Sequence, residues 1–307
     1  MSEVTLSYTA KPSTGGSAPA VTDDKSEHCI PFILSRLSDL NPTASGRPFI
    51  IGLNGVQGAG KTTLVSTLAD TLQARGLETL VLSIDDLYLT HDDQVSLAQS
   101  QPDNALMQHR GEPGTHDIQL LNSIFDSLIT GGEVAIPSYD KSLFNGAGDR
   151  APTSTWKTVN SPGTSPIRVI ILEGWLVGFH SLDPSNITSL AAKPSVTLHT
   201  YPLSSLLFVN EKLQEYEKTW YLFDAFIHID AKELSYVYEW RQQQERRLRE
   251  KEMGMTEEQV KNFVDGYFPA YEMFTEGVQA GVLKGKDGAQ LRLTVGRDRK
   301  VEKVEVI

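Results

Sequence analysis

Cysteine is all but missing. Cys29 is the single one in 307 residues, which excludes a disulfide within the chain and fits a reducing compartment. Set among Ile30, Phe32, Ile33 and Leu34, that thiol reads as a small buried hydrophobe. Basic residues are also in deficit: 28 Lys and Arg against 39 Asp and Glu leave a net charge of −11. Such a balance argues against a general affinity for nucleic acid or anionic membranes. No apolar run approaches the roughly 18 residues that span a bilayer. The first 22 residues contain no arginine and no charged-then-apolar leader pattern. They are rich in Ser, Thr, Ala and Gly and are expected to form a disordered tail ahead of a cytoplasmic protein. No internal repeat is visible. The remaining hydrophobic content, 39%, suffices for a sizeable core, expected as a single domain over residues 23–307.

Against these absences stands one strong motif. Gly55-Val56-Gln57-Gly58-Ala59-Gly60-Lys61-Thr62 fits G-x-x-x-x-G-K-[ST]. It is preceded by the apolar run Pro48 to Leu53 and followed by Thr63 to Leu72, whose apolar residues recur at helical spacing. A strand, a glycine turn and a helix N-terminus are what phosphate capture requires. The glycines let backbone N–H groups converge on a phosphate, and the unpaired amides of the new helix add positive potential. Lys61 is expected at the β- and γ-phosphates, Thr62 on Mg²⁺, and Thr63 beside them. The reading is a nucleoside triphosphate site.

The rest of the chain alternates between strands and helices. Helices are expected over Pro31 to Leu40, Asp117 to Ile129, Leu203 to Trp220 and Glu233 to Glu252. Buried strands are expected at Glu78 to Ile84, Arg168 to Leu172 and Ala225 to Ile229. The segments Leu291 to Val295 and Val301 to Ile307 alternate like half-exposed strands, a candidate terminal hairpin. Residues 91–116 read as a loop-and-helix excursion over the site, and 145–166, rich in Gly, Pro, Ser and Thr, as mostly loop. The predicted fold is α/β: a P-loop NTPase-type, largely parallel sheet with helices on both faces, a lid helix, and insertions at about 91–116 and 137–166.

In such a sheet, ligands gather beyond the carboxyl ends of the strands. Asp85-Asp86 and Glu173-Gly174 each follow an apolar run there. Glu173 is expected to hold Mg²⁺, directly or through water. Asp85 is expected to accept the proton of an attacking hydroxyl, with Asp86 as its rival.

These segments also resemble a known family. Gly55 to Thr62, Ser83-Ile84-Asp85-Asp86-Leu87-Tyr88 and Ile171-Leu172-Glu173-Gly174 resemble the phosphoribulokinase, uridine kinase and pantothenate kinase superfamily. Arg110 to Asp117, Pro137 to Ser142 with Gly148-Asp149-Arg150, and Glu173 to Phe179 look like plant-type D-glycerate 3-kinase and its fungal relatives. So does Glu239 to Glu245. The resemblance covers about residues 28–300 and implies γ-phosphoryl transfer from Mg·ATP to a hydroxyl of a small acid, D-glycerate first.

A carboxylate acceptor wants a forked cation, and Arg110 and Arg150 lie in segments expected to cover the site. Lys141, Tyr139 and Asp86 would add acceptor contacts, with His116 and Asp117 orienting them. The resemblance further implies that the charged 239–250 helix is a lid, with Arg241 approaching the transferred phosphoryl group; the plainer reading of its arginines is a solvated helix face. Ala147 departs from the family pattern, where a charged residue is common. Two other classes compete with a kinase: a regulatory P-loop ATPase and a binding protein without turnover. The guanine-switch patterns N-K-x-D and D-x-x-G do not occur. Oligomeric state is not legible.

Overall fold

A computed structural model describes residues 23–40, 46–249 and 254–307; the expected N-terminal tail lies outside the described residues. The strands are β1 (Phe49–Gly55), β2 (Thr79–Ser83), β3 (Val134–Ile136), β4 (Tyr139–Asp140), β5 (Asp149–Arg150), β6 (Lys157–Val159), β7 (Val169–Gly174), β8 (Ala225–Ala231), β9 (Gln290–Val295) and β10 (Val301–Val306). The helices are α1 (Ser26–Leu40), α2 (Lys61–Gln73), α3 (His91–Ser100), α4 (Ile118–Ile129), α5 (Pro184–Ala191), α6 (Leu203–Lys212), α7 (Glu217–Trp220), α8 (Tyr236–Arg249), α9 (Glu257–Asp265) and α10 (Phe268–Ala280).

Six strands form the main sheet in the order β10-β9-β8-β1-β7-β2. All neighbours pair in parallel except β10 with β9. The motif strand β1 therefore lies in the interior, and both β1 and β8 are buried along their whole length. That explains their near-continuous apolar sequence, which a strand covered on both faces requires. Helices pack on both sides of the sheet: α1 meets α2 and β8, α2 meets β2 and β7, and α10 packs against β8. At Gly52 the sheet allows no side chain, since a Cβ there would come within 2.6 Å of the Phe226 ring.

Several sequence expectations shift. β1 and β2, joined by α2, do not touch; β7 enters between them, pairing Gly52 with Leu172 on one side and Leu82 with Leu172 on the other. β2 is consequently an edge strand, buried at Thr79, Leu80 and Leu82 as expected but with Val81 exposed. Helix α1 starts at Ser26 rather than Pro31, because the Asp23 carboxylate accepts the N–H groups of Lys25 and Ser26 and caps it earlier. Pro31 therefore sits inside the helix. The expected 203–220 helix is broken into α6, a 3₁₀ turn at Leu213–Tyr216 and α7. Residues 145–166 are mostly loop, as expected, with the short strands β5 and β6 the exceptions; β4 pairs with β5, and β3 with β6, as two antiparallel ribbons. The terminal hairpin forms, and its inner strand β9 extends the main sheet beside β8.

Candidate active site

Gly60 caps α2 in the left-handed conformation, φ 99°, and Gly58 takes φ 82°. Only glycine adopts these readily, which is the physical content of two of the motif's glycines. Gly58 is doubly constrained: a Cβ would lie 2.6 Å from the Cβ of Trp240 on α8. Its carbonyl accepts a hydrogen bond from Arg299 Nε at 2.7 Å, and the Gln57 N–H donates to the Tyr271 hydroxyl at 3.3 Å. The loop is thus clamped from α8, α10 and the terminal hairpin at once. Lys61 Nζ donates to the Gly55 carbonyl at 2.7 Å and reaches that of Val56 at 3.4 Å. Burial lowers the pKa of its ammonium, opposed by the carboxylates of Glu173 and Asp85. Those two acids are therefore part of its surroundings, as the strand-end argument requires.

A cleft of about 290 Å³ opens beyond the carboxyl ends of β1, β7 and β2. Gln57, Gly58, Lys61, Thr62, Asp85, Glu173, Arg110, Lys141 and Arg241 line it, so residues from six separated segments converge. Register explains part of this: Glu173 pairs with Leu53 of β1 and with Ser83 of β2. Thr63, one position further along α2, is exposed and does not line the cleft.

The adjacent acids part company in the 3₁₀ turn at Ile84–Leu87 that follows β2. Asp85 faces the cleft and pairs with Lys141, Nζ to Oδ2 2.6 Å. Burial works to raise its carboxyl, yet the Lys141 ammonium, helped by Lys61, holds it below the usual carboxylate range. Asp86 instead accepts the Tyr139 N–H at 3.0 Å, anchoring β4. Burial, with the charge of Asp85 nearby, pushes Asp86 up to about 6. Below both lies His116, whose Nδ1 is 2.8 Å from the Tyr216 hydroxyl and whose ring stacks on Tyr88 at 4.5 Å. Burial pushes this imidazole down to about 3, so it stays neutral at physiological pH.

The expected acceptor residues divide. Arg110 and Lys141 line the cleft; Tyr139 and Arg150 do not. Arg110 donates to the carbonyls of Gly146, at 2.7 Å, and Ala147, and lies over the Tyr139 ring at 5.6 Å. Arg150 pairs with Asp117 at 3.1 Å and donates to the Tyr88 carbonyl at 2.9 Å. It fastens β5 to the cap of α4, since Asp117 also accepts the Leu120 N–H. On α8, Arg241 pairs with buried Glu245 at 2.5 Å and lies 4.6 Å over the Phe263 ring.

Trp175, Phe263, Tyr267, Tyr88 and Gln244 also line the cleft and were not anticipated. Phe263 and Tyr267 belong to α9 and the turn after it. The signal for that helix is in the sequence: Thr256 and Gln259 form a capping box ahead of Val260 and Val264. Nothing in sequence separation hints that Tyr267 meets the Arg110 segment. Its hydroxyl donates to the Arg110 carbonyl at 3.3 Å, and a Cβ on Gly111 would come within 2.4 Å of its ring.

A mostly parallel sheet that delivers a phosphate-binding loop to a helix, with acids from the ends of β2 and β7 at the same cleft, defines a P-loop nucleotide-handling protein. The family profile described as methylmalonyl Co-A mutase-associated GTPase MeaB matches residues 26–89, a minor part of the chain that contains the β1–loop–α2–β2 stretch. Longer matches are to kinases. An uncharacterized kinase of Schizosaccharomyces pombe is 42% identical over 236 residues, 76% of this chain and 83% of that protein. The chloroplastic D-glycerate 3-kinase of Arabidopsis thaliana is 35% identical over 246 residues, 78% of this chain; the chain spans 50% of that protein's length. The solved D-glycerate 3-kinase of Cryptococcus neoformans superposes with a TM-score of 0.82 at 35% identity, covering 93% of this chain and 100% of that one. The chain belongs to the family of P-loop kinases that contains D-glycerate 3-kinase and its fungal relatives.

Proposed function

We propose that this chain transfers the γ-phosphoryl group of ATP to a hydroxyl of D-glycerate. The observation that carries the reading is the convergence on one cleft of the P-loop lysine, the Asp85 carboxylate and two cations, Arg110 and Lys141. Its relatives' names, D-glycerate 3-kinase in a plant and in a fungus, point the same way. Residues 23–307 act as one kinase unit, with 91–116 and 137–166 shaping the acceptor side.

Gly55 to Lys61 grip the phosphates through backbone N–H groups and the Lys61 ammonium. Asp85 takes the proton of the acceptor hydroxyl as its oxygen bonds to the γ-phosphorus and the bond to ADP breaks. Arg110 pairs with the acceptor carboxylate. Asp86, Tyr139 and Arg150 position the acceptor segments, through Tyr139 N–H and the Asp117 cap, rather than touching substrate. Arg241 approaches the transferred group from α8, and Trp175, Phe263 and Tyr267 exclude water.

Mg²⁺ fits the donors present: the Thr62 hydroxyl and the Glu173 carboxylate, both hard oxygens, line the same cleft. Among the described residues no group of three or more His, Cys, Asp or Glu could cage an ion, which suits a metal held chiefly by phosphate and water. When bound, Mg²⁺ would supply neutralisation of charge on the phosphate oxygens. No helix of the described residues is long and apolar enough to cross a membrane, and we place the reaction in the cytoplasm, in keeping with the lone buried thiol of Cys29.

The test is ADP release with D-glycerate, uridine, pantothenate and a panel of sugar acids as acceptors. D-glycerate-dependent release is expected. The match to a GTPase profile favours one other reading, a regulatory NTPase; nucleotide hydrolysis indifferent to every acceptor would establish that one and remove the kinase.

A further inference from the structure

The two cations on the acceptor side of the cleft are already engaged by the protein itself. Lys141, its side chain 55% exposed, holds Asp85 at 2.6 Å. Arg110 is held by the carbonyls of Gly146 and Ala147. Both interactions run to one short segment, residues 141–148, between the paired strands β4 and β5. That segment is strained at its tip: Phe144 and Asn145 adopt φ of 49° and 55°, unfavourable for a side chain as bulky as phenylalanine. The Phe144 ring, more than half exposed, rests on His91 with 3.7 Å between centroids.

A carboxylate paired with an ammonium is a weaker proton acceptor than a free one. Neutral carbonyls, in turn, are weaker partners for a guanidinium than a carboxylate, which carries the opposite charge and can meet the fork with both oxygens. An acceptor that carries its own carboxylate can therefore compete for both cations, whereas water or an uncharged polyol cannot. On the reading that Asp85 is the base, we propose that Lys141 is a specificity-determining latch: it occupies Asp85 until an acceptor carboxylate draws the ammonium away. Turnover then depends on an anionic acceptor, and ATP is spared from hydrolysis while the acceptor is absent. Once freed, Asp85 receives the hydroxyl proton, the acceptor oxygen bonds to the γ-phosphorus, and ADP departs with the electron pair of the broken bond.

The test compares wild type with Lys141→Met and Lys141→Arg. It measures acceptor-free ADP release, and kcat and KM for D-glycerate and for glycerol, a primary alcohol without the carboxylate. Removing the charge should raise acceptor-free release about tenfold, since a carboxylate freed of its ammonium partner is the stronger base. The ratio of glycerol to D-glycerate kcat/KM should rise by a similar factor, with the D-glycerate loss mainly in KM. Lys141→Arg should return acceptor-free release toward the wild-type level. In the double variant Lys141→Met/Asp85→Asn the stimulated release should vanish. Unchanged acceptor-free release and an unchanged acceptor ratio in a folded Lys141→Met protein would overturn the latch, as would stimulation that survives in the double variant. Full turnover in Asp85→Asn alone overturns the assignment of the base, a failure distinct from that of the latch.

Discussion

Asp86→Asn separates two neighbouring acids by stability rather than by rate. The substitution keeps the shape of the side chain and the oxygen that accepts the Tyr139 N–H, but removes a group that titrates. In the fold, burial and the charge of Asp85 raise the Asp86 carboxyl from its ordinary 3.8 to about 6. Between those values the unfolded chain has released a proton that the folded chain still holds. Stability linked to Asp86 is therefore full below the unfolded value and is lost as pH rises through about 6. A shift of about two units corresponds to about 2–3 kcal/mol, an upper bound because solvent reaches part of the side chain. Asp86→Asn should thus match wild type near pH 4 and exceed it by up to that amount at pH 7.5. Urea unfolding followed by tryptophan fluorescence at a series of pH values measures the difference directly. A variant less stable than wild type at pH 7.5, or a difference that does not grow with pH, refutes the reasoning. ADP release should stay within a few-fold of wild type, since Asp86 does not line the cleft; a collapse of turnover would transfer the base role to it.

Asp85→Asn should leave ATP affinity within a few-fold while turnover falls about 10²–10⁴-fold; isothermal titration with ATP beside steady-state kinetics gives both, and wild-type turnover would remove Asp85 from the chemistry. Gly58→Ala forces a Cβ to within 2.6 Å of Trp240 at a φ of 82°. Loop and α8 must separate, so KM for ATP should rise by about tenfold or more, and an unaltered KM would show that the clamp is irrelevant to nucleotide binding. Arg241→Met removes the ion-pair partner of Glu245, whose side chain is 2% exposed and, among the described residues, keeps only the Met255 N–H. The cost should be about 1–3 kcal/mol together with lost turnover. Adding Glu245→Gln should recover the melting temperature but not the rate; recovery of both would reduce Arg241 to a structural strut.

How far the sequence could be followed is clearest at particular residues. β1 and β8 are legible because burial on both faces favours a near-continuous apolar run, and α4 because Asp117 caps it and Gly131, φ 71°, ends it. The short ribbons β3–β6 and β4–β5 are not, being two or three residues long and rich in polar side chains. The break between α6 and α7 escapes detection because its residues carry helical periodicity through the 3₁₀ turn.

The phosphate loop, the strand-end acids and the P-loop kinase class were determined by sequence alone, because each depends on local order: glycines at fixed spacing, a lysine opening the next helix, carboxylates directly after apolar runs. Tertiary structure decided which of two adjacent acids faces the cleft, that Arg150 braces the α4 cap while Arg110 lines the cleft, and that Phe263 and Tyr267 line it too. Those outcomes turn on a 3₁₀ turn of four residues and on approaches between segments far apart in sequence, Tyr267 and Arg110 by more than a hundred residues. Spacing along the chain carries no information about which partner a side chain finds across such a distance; only the packed sheet and its flanking helices fix it.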